Sequence, residues 1–198
     1  MIYQIEEELP KAALIYGLIG SRLSETKQAF VISRALNEAF GGDVSEDHHQ
    51  MINEVSAVAW PVLWSCQVAT FTGLVAVLED QEGSASIPYL AKLIRAEGNE
   101  VPPHHEAVIK DIAEKYRVYR NKLFSHNSVR REIIREQFNS AKISWETLAK
   151  DFEAVEKAYF QIADCSPSLS LEIGPWMMER EVQATEATIQ DLIAKFKG

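Results

Sequence analysis

The chain has 198 residues, of which 46% are hydrophobic and 25% are charged. This length and composition exclude an extensively disordered chain and allow one buried core without disulfide or metal support. The formal net charge of −9 argues against a protein that binds nucleic acid non-specifically over its whole surface.

The cysteines and the apolar segments predict a soluble protein of the cytoplasm. Cys66 and Cys165 form no CxxC motif, which is typical of reduced thiols and not of a disulfide framework. Residues 1–8 are acidic where a signal peptide would be basic and then apolar. The most apolar run, Val55 to Leu78, includes Pro61 and several polar residues, so it predicts a buried helix and no membrane span.

Helical periodicity dominates the first 80 residues. Apolar side chains predict one helix from Tyr3 to about Leu23 and a second from Glu25 to Phe40, with Ser24 as the N-cap of the second. A long helix is predicted from about Glu46 to Glu79, kinked at Pro61. Because this helix is apolar nearly all round, we expect it to be the central helix of a bundle.

The second half of the chain continues the helical pattern, and no strand pattern, repeat or linker interrupts it. Four further helices are predicted: from Ser84 or Ser86 to Gly98, from Pro103 towards His126, from Trp145 to about Ala163 with Ser144 as N-cap, and from Trp176 to Phe196. The sequence therefore predicts an all-α, up-and-down helical bundle with an extra C-terminal helix, formed by residues 1–198 as one domain.

Several familiar kinds of site are not expected. His48-His49 and His104-His105 are adjacent pairs, and neighbouring side chains on a helix diverge by about 100°, so neither pair predicts a metal site. There is no glycine-rich phosphate loop, and no cofactor is predicted. The four tryptophans lie in apolar helical patterns and are expected in the core, not as stacking platforms; they are Trp60, Trp64, Trp145 and Trp176.

One basic segment stands out on this acidic chain. Between Lys115 and Arg135 there are seven basic residues and one acidic residue, a local charge of +6 that leaves −15 on the rest of the chain. Such a run is compatible with an ordinary solvated helix face, but it is also the charge pattern of a local site for phosphate groups.

Within this segment, Arg120, Asn121 and His126 have the chemistry needed to cleave RNA without a metal ion. The guanidinium of Arg120 remains charged and suits a phosphate, and the imidazole of His126 exchanges a proton near neutral pH. Asn121 is able to bind a phosphate oxygen or to hold the imidazole in one tautomer. Proton removal from a ribose 2′-hydroxyl, together with charge stabilisation on the phosphorus, would break the RNA backbone.

The spacing sets a structural condition on this hypothesis. Arg120 and His126 are six positions apart, which is about 240° around an ideal helix, so they do not share a face. Either the helix ends or distorts before His126, as Asn127-Ser128 permits, or the two groups meet across a dimer. The alternative is a regular helix on which both are ordinary surface residues.

Residues Arg120 to His126 (RNKLFSH) resemble the signature of the HEPN superfamily, the higher eukaryotes and prokaryotes nucleotide-binding domains. That signature is an Arg, a polar residue, and a His after four to six intervening positions; here five intervene. Upstream, the stretches from Trp60 to Asp80 and from Ser84 to Leu90 resemble the abortive-infection type U branch of these proteins.

The resemblance implies a helical homodimer whose two motifs line one cleft and act as a metal-independent endoribonuclease, of the toxin or antiviral-defence type. It assigns phosphate stabilisation to Arg120, general acid/base catalysis to His126 and an orienting role to Asn121. Local charge and polarity add Arg117, Lys122 and Asn127 as RNA-binding residues. RNA and an antitoxin protein are the partners it implies beyond the second copy of the chain.

One departure from the family pattern concerns that antitoxin. Members paired with a nucleotidyltransferase antitoxin tend to carry Tyr two residues after the His, and this chain has Ser128 there, so modification by such a partner is not expected. Two alternatives stay open. In the first alternative to a ribonuclease, the chain is a catalytically silent HEPN-like module that binds nucleotide, RNA or protein. In the second, it is a helical scaffold on which the motif is coincidental.

Overall fold

The computed structural model describes residues 10–40, 46–124, 143–169 and 175–197, and the side chains of 10–39, 58–59, 61–117, 143–169 and 178–195. Every regular element in these ranges is helical, which confirms the all-α prediction. The elements are α1 (Lys11–Phe40), α2 (Glu46–Leu78), α3 (Ile87–Ala96), α4 (Pro103–Phe124), α5 (Trp145–Ala163), a short 3-10 helix (Pro167–Leu169) and α6 (Pro175–Lys197).

Helices α1 and α2 form an antiparallel pair. Gly73 on α2 lies against Thr26 on α1, whereas Leu63 packs in a cluster with Ala35 and Leu36, so residue numbers fall on α2 as they rise on α1. At Gly73 the absence of a Cβ lets the two helices approach closely, because a methyl group there would meet the Thr26 side chain.

The direction of α5 follows from its aromatic contacts with α1. The rings of Tyr16 and Tyr159 stack with centroids 4.9 Å apart, and those of Phe30 and Phe152 lie 5.3 Å apart. Higher positions on α1 therefore meet lower positions on α5, and the two helices are antiparallel. The buried Tyr159 hydroxyl donates a 2.7 Å hydrogen bond to the Tyr16 carbonyl, which further joins this pair.

Helix α4 runs opposite to both α5 and α2. Tyr116 near its end donates a hydrogen bond to Asp151, while His105 near its start lies within electrostatic range of Lys157, so α4 and α5 are antiparallel. Since α5 opposes α1 and α1 opposes α2, α4 is also antiparallel to α2. Those two helices meet where the rings of Phe71 and Tyr116 lie 6.0 Å apart.

The C-terminal helix α6 lies alongside α1 and runs in the same direction. Polar pairs join the two along their length. Ser24 donates to Glu181, Thr185 donates to Gln28 at 3.1 Å, and Arg34 pairs with Glu186 at 2.7 Å. The architecture is thus the predicted helical bundle, with the additional helix packed on its outside.

Two apolar clusters stabilise the bundle. The main cluster involves α1 to α5 and Met178 of α6, and its largest fully buried side chains are Phe71, Tyr116, Phe152 and Tyr159. A small second cluster of Ala35, Leu36, Leu63 and Ile193 lies where α1, α2 and α6 meet. The core is therefore deep around Phe71 and thinner towards Leu63.

The predicted break at Ser24 is wrong, because α1 is one helix of 30 residues. Ser24 lies in its interior, is 3% exposed and donates its hydroxyl to the Glu181 carboxylate. A serine favours helix starts because its hydroxyl serves free N–H groups there. Here a carboxylate on another helix satisfies that hydroxyl, so the local preference is overridden.

Other local signals are confirmed. Ser144 caps α5 and accepts a 3.1 Å hydrogen bond from the Thr147 N–H, as a helix N-cap should. Ser86 is the N-cap residue of α3, and Gly98 follows that helix with a φ of 89°, the left-handed conformation that glycine adopts without strain.

The second half of α2 is strongly apolar. Within the described residues, the stretch from Pro61 to Leu78 alone has the length and composition of a membrane-spanning helix, and 39% of it is buried inside the bundle. The core helix of a water-soluble bundle has the same composition. Solubility and cytoplasmic location therefore stay predictions from the sequence.

Candidate functional site

Helix α4 carries the first part of the predicted site. Arg117 is exposed on this helix. The backbone of Arg120, Asn121 and Lys122 belongs to the same helix, but their side chains lie outside the described ones. His126 and Asn127, together with the predicted change of helix geometry beside them, lie outside the described residues.

The inner face of α4 explains how the bundle fixes this helix. His105, Ile109, Ile112 and Tyr116 are buried, at spacings of four, three and four residues. This spacing keeps a single stripe of the helix towards the core. The backbone that leads into the predicted motif is therefore held by the main apolar cluster up to Tyr116.

Helix geometry then places the positions that follow Tyr116. At about 100° per residue, Arg117 is about 100° and Asn121 about 140° from Tyr116, on the side of the exposed Lys110. Position 120 is only about 40° from Tyr116, next to the buried stripe. Of these three positions, the structure describes the side chain of Arg117 alone, and it is exposed.

A polar anchor joins α4 to α5 one turn before Arg120. The buried Tyr116 hydroxyl donates to the Asp151 carboxylate, and Lys115 forms an ion pair with the same carboxylate. Hydrogen bonds to charged groups are stronger than neutral ones, so this anchor adds to the apolar packing of Tyr116. It also neutralises Lys115, so the free positive charge of the basic segment begins at Arg117.

The expectation that all four tryptophans lie in the core is only partly met by the side chains that the structure describes. Trp145 is half-buried and packs beside Phe30, with ring centroids 5.9 Å apart. Trp64, however, is 42% exposed, so the expectation of a core side chain is wrong there. The main core ends near Phe71, and the thinner cluster around Leu63 leaves one side of α2 open. The side chains of Trp60 and Trp176 lie outside the described ones.

Trp64 is a residue that the sequence reasoning assigned to the wrong environment. A helix that is apolar nearly all round predicts burial on every side, so the sequence contained no signal for this exposure. Pro61, Val62 and Ser65 are exposed as well as Trp64. This part of α2 is therefore not enclosed on all sides, as was expected of a central helix.

The described residues offer no metal site, since none of their His, Cys, Asp and Glu side chains form a group of three or more. The rings of His104 and His105 lie 3.9 Å apart. Burial lowers the pKa of His105, and the neighbouring His104 and Lys157 lower it further. His105 is consequently a neutral side chain of the bundle near pH 7. The side chains of His48 and His49 lie outside the described ones.

Comparison of the chain with protein-family models, with curated proteins and with solved structures gives no match. The resemblance to HEPN domains therefore rests on the residues named above and on the all-α context.

Proposed function

We propose that this protein is a HEPN-type, metal-independent endoribonuclease that acts as a homodimer in toxin or antiviral defence. The observation that carries the proposal is the Arg120-Asn121…His126 motif, whose first residues belong to α4 directly after the anchor of Tyr116 on Asp151. A site that positions reacting groups needs a rigid support, and this anchor supplies one.

The chemistry proposed is attack of a ribose 2′-oxygen on the adjacent phosphorus. His126 removes the proton of the 2′-hydroxyl as general base, and the bond from phosphorus to the 5′-oxygen breaks. The leaving 5′-oxygen takes up a proton from the His126 imidazolium, which returns to its neutral form. Arg120 stabilises the negative charge that builds on the phosphorane oxygens, and Asn121 orients the imidazole or the phosphate.

Binding of the RNA strand is assigned to positive and polar groups near the motif. Arg117 is exposed on α4, and Lys122 and Asn127 are the other members of the predicted set. Because the rest of the chain is strongly acidic, RNA is expected to bind at this segment only. Replacing any one of the basic side chains that bind phosphate should reduce the salt dependence of RNA binding.

The first test is RNA cleavage in EDTA by the wild-type chain and by His126→Ala. We expect cleavage with 2′,3′-cyclic phosphate ends and a loss of about 10²- to 10⁴-fold in the variant, the usual contribution of a general acid or base. His104→Ala is the matched control, since His104 is an exposed histidine of α4 outside the motif. Equal cleavage by the His126 and wild-type chains would refute the proposal.

A second test asks where Arg120 and His126 meet. Arg120→Ala and His126→Ala chains are co-expressed with different tags, and the mixed dimers are purified. Restored cleavage would show that each site takes Arg120 from one chain and His126 from the other. No restoration, with dimers present, would place both groups in one chain and require a change of helix geometry before His126.

Expression in a host gives an independent readout of the biological role. The wild-type chain should slow growth and His126→Ala should not. RNA binding without turnover, unaffected by His126→Ala, would instead favour the catalytically silent module.

A further inference from the structure

The outer part of α2 presents an exposed aromatic side chain on an uncharged stretch of helix. From Val55 to Leu78 the sequence has no charged residue, although a quarter of the whole chain is charged. Trp64 is 42% exposed in this stretch, and Val62 is 41% exposed. Contact of such a side chain with a ligand would remove apolar area from water, which is favourable.

The antiparallel pairing of α2 and α4 places Trp64 beside the motif. Phe71 meets Tyr116, and Trp64 is seven residues before Phe71. Seven residues correspond to about 10.5 Å along a helix axis, so Trp64 lies level with position 123 of α4. Arg120 is about 6 Å beyond Tyr116, which leaves about 4.5 Å between the axial levels of Arg120 and Trp64.

Trp64 also lies on the correct side of α2. A separation of seven residues rotates a helix position by only about 20°, so Trp64 and Phe71 share the side that faces α4. Phe71 is 1% exposed because the main core covers it. Trp64 has the same orientation but is 42% exposed, and it lies next to the α4 segment that carries Arg117 and Arg120.

We propose that Trp64 is a stacking platform for a base of single-stranded RNA whose phosphates are bound by the basic segment of α4. The inference rests on the proposed function and specifies how the substrate is held. Every base has an aromatic face, so stacking on tryptophan accepts any sequence, and positive side chains beside it follow the strand. The exposed Arg117 on the neighbouring α4 segment favours an anionic, aromatic ligand over a second copy of this acidic chain.

The test measures binding of a fluorescent single-stranded RNA of about 12 nucleotides, a length within the usual range for such sites. All chains carry His126→Ala, and EDTA is present, so that the RNA stays intact. Trp64→Ala should weaken binding by about 5- to 150-fold, the loss of one stacked base, and Trp64→Phe should keep most of the affinity. Val62→Ala is the matched control, because Val62 is an equally exposed apolar side chain on another side of α2.

Salt dependence separates stacking from charge. Trp64→Ala should leave the slope of log affinity against log salt unchanged, whereas Arg117→Ala should lower it by about 0.7. Intrinsic fluorescence is a second measurement that does not require Trp64→Ala to fold. RNA should quench the parent chain, and Trp64→Phe should remove that quenching.

Unchanged affinity and quenching in the Trp64 variants would overturn the inference, as would a parent chain that does not bind RNA. A loss of dimers in sedimentation, with RNA affinity per chain preserved, would also overturn it and identify the face as an interface between copies. These results are distinguishable from failure of the ribonuclease proposal. His126-dependent cleavage that is normal in a Trp64→Ala chain refutes only stacking, and Trp64-dependent binding without cleavage refutes only catalysis.

Discussion

Helices α1 and α2 approach each other closely at Gly73, and replacing this glycine gives a sharp test of the packing. A Cβ added to Gly73 would overlap the Thr26 hydroxyl and would lie 3.1 Å from both Thr26 Cβ and Cγ2. Thr26 has little freedom to move away, since it is buried and its hydroxyl donates a 2.6 Å hydrogen bond to the Arg22 carbonyl. Gly73→Ala therefore forces α1 and α2 apart.

The size of the effect follows from two opposing contributions. Overpacking a well-filled interface lowers the free energy of unfolding by about 1–3 kcal/mol. Alanine in place of glycine within a helix raises it by about 1 kcal/mol. We expect a net loss of about 0–2 kcal/mol for Gly73→Ala. Gly17→Ala should instead give a gain of about 0.5–1 kcal/mol, because nothing lies within 4 Å of a Cβ at Gly17.

Urea unfolding followed by circular dichroism measures both values, at one protein concentration because dimer formation would shift apparent stability. A double-mutant cycle identifies the cause. Thr26→Ala removes the Oγ1 and Cγ2 atoms that the new methyl would meet, so the double variant should be more stable than the sum of single effects by about 0.5–3 kcal/mol. If Gly73→Ala stabilised the chain as much as Gly17→Ala does, the close packing of α1 on α2 would be wrong.

Two further outcomes are expected from local features. Ser144→Ala should lower the free energy of unfolding by about 1 kcal/mol and the melting temperature by about 2–4 °C, because the Thr147 N–H loses its acceptor. The control is Ser65→Ala, at an exposed serine inside α2, and it should change both quantities little. Burial raises the pKa of the Cys66 thiol, and burial followed by the charge of Asp164 raises that of Cys165. Both thiols should therefore react more slowly with iodoacetamide at pH 8 in the folded chain than in urea, because less thiolate is present; equal rates would contradict this.

The local signals were sufficient for most helix positions. Polar caps, a φ-positive glycine and apolar spacing act within one or two turns, so the start of α5 at Ser144 and the position of Gly98 after α3 could be predicted from the sequence. The failure at Ser24 has a non-local cause. Its hydroxyl is satisfied by Glu181, which is distant in sequence and reaches Ser24 only once α6 lies along α1.

Some features of the candidate site likewise follow from the local sequence, and others follow only from tertiary contacts. The sequence by itself determined which residue types are present, their order in Arg120-Asn121…His126, and the condition that six positions of regular helix separate Arg120 from His126 by about 240°. It also determined the all-α character, because that depends on short-range periodicity. Only the tertiary structure decided that Asp151 neutralises Lys115 and that the end of the core leaves Trp64 exposed beside α4. The physical reason is that burial and pairing depend on which helix lies against which, and that arrangement is fixed by contacts between residues far apart in the chain.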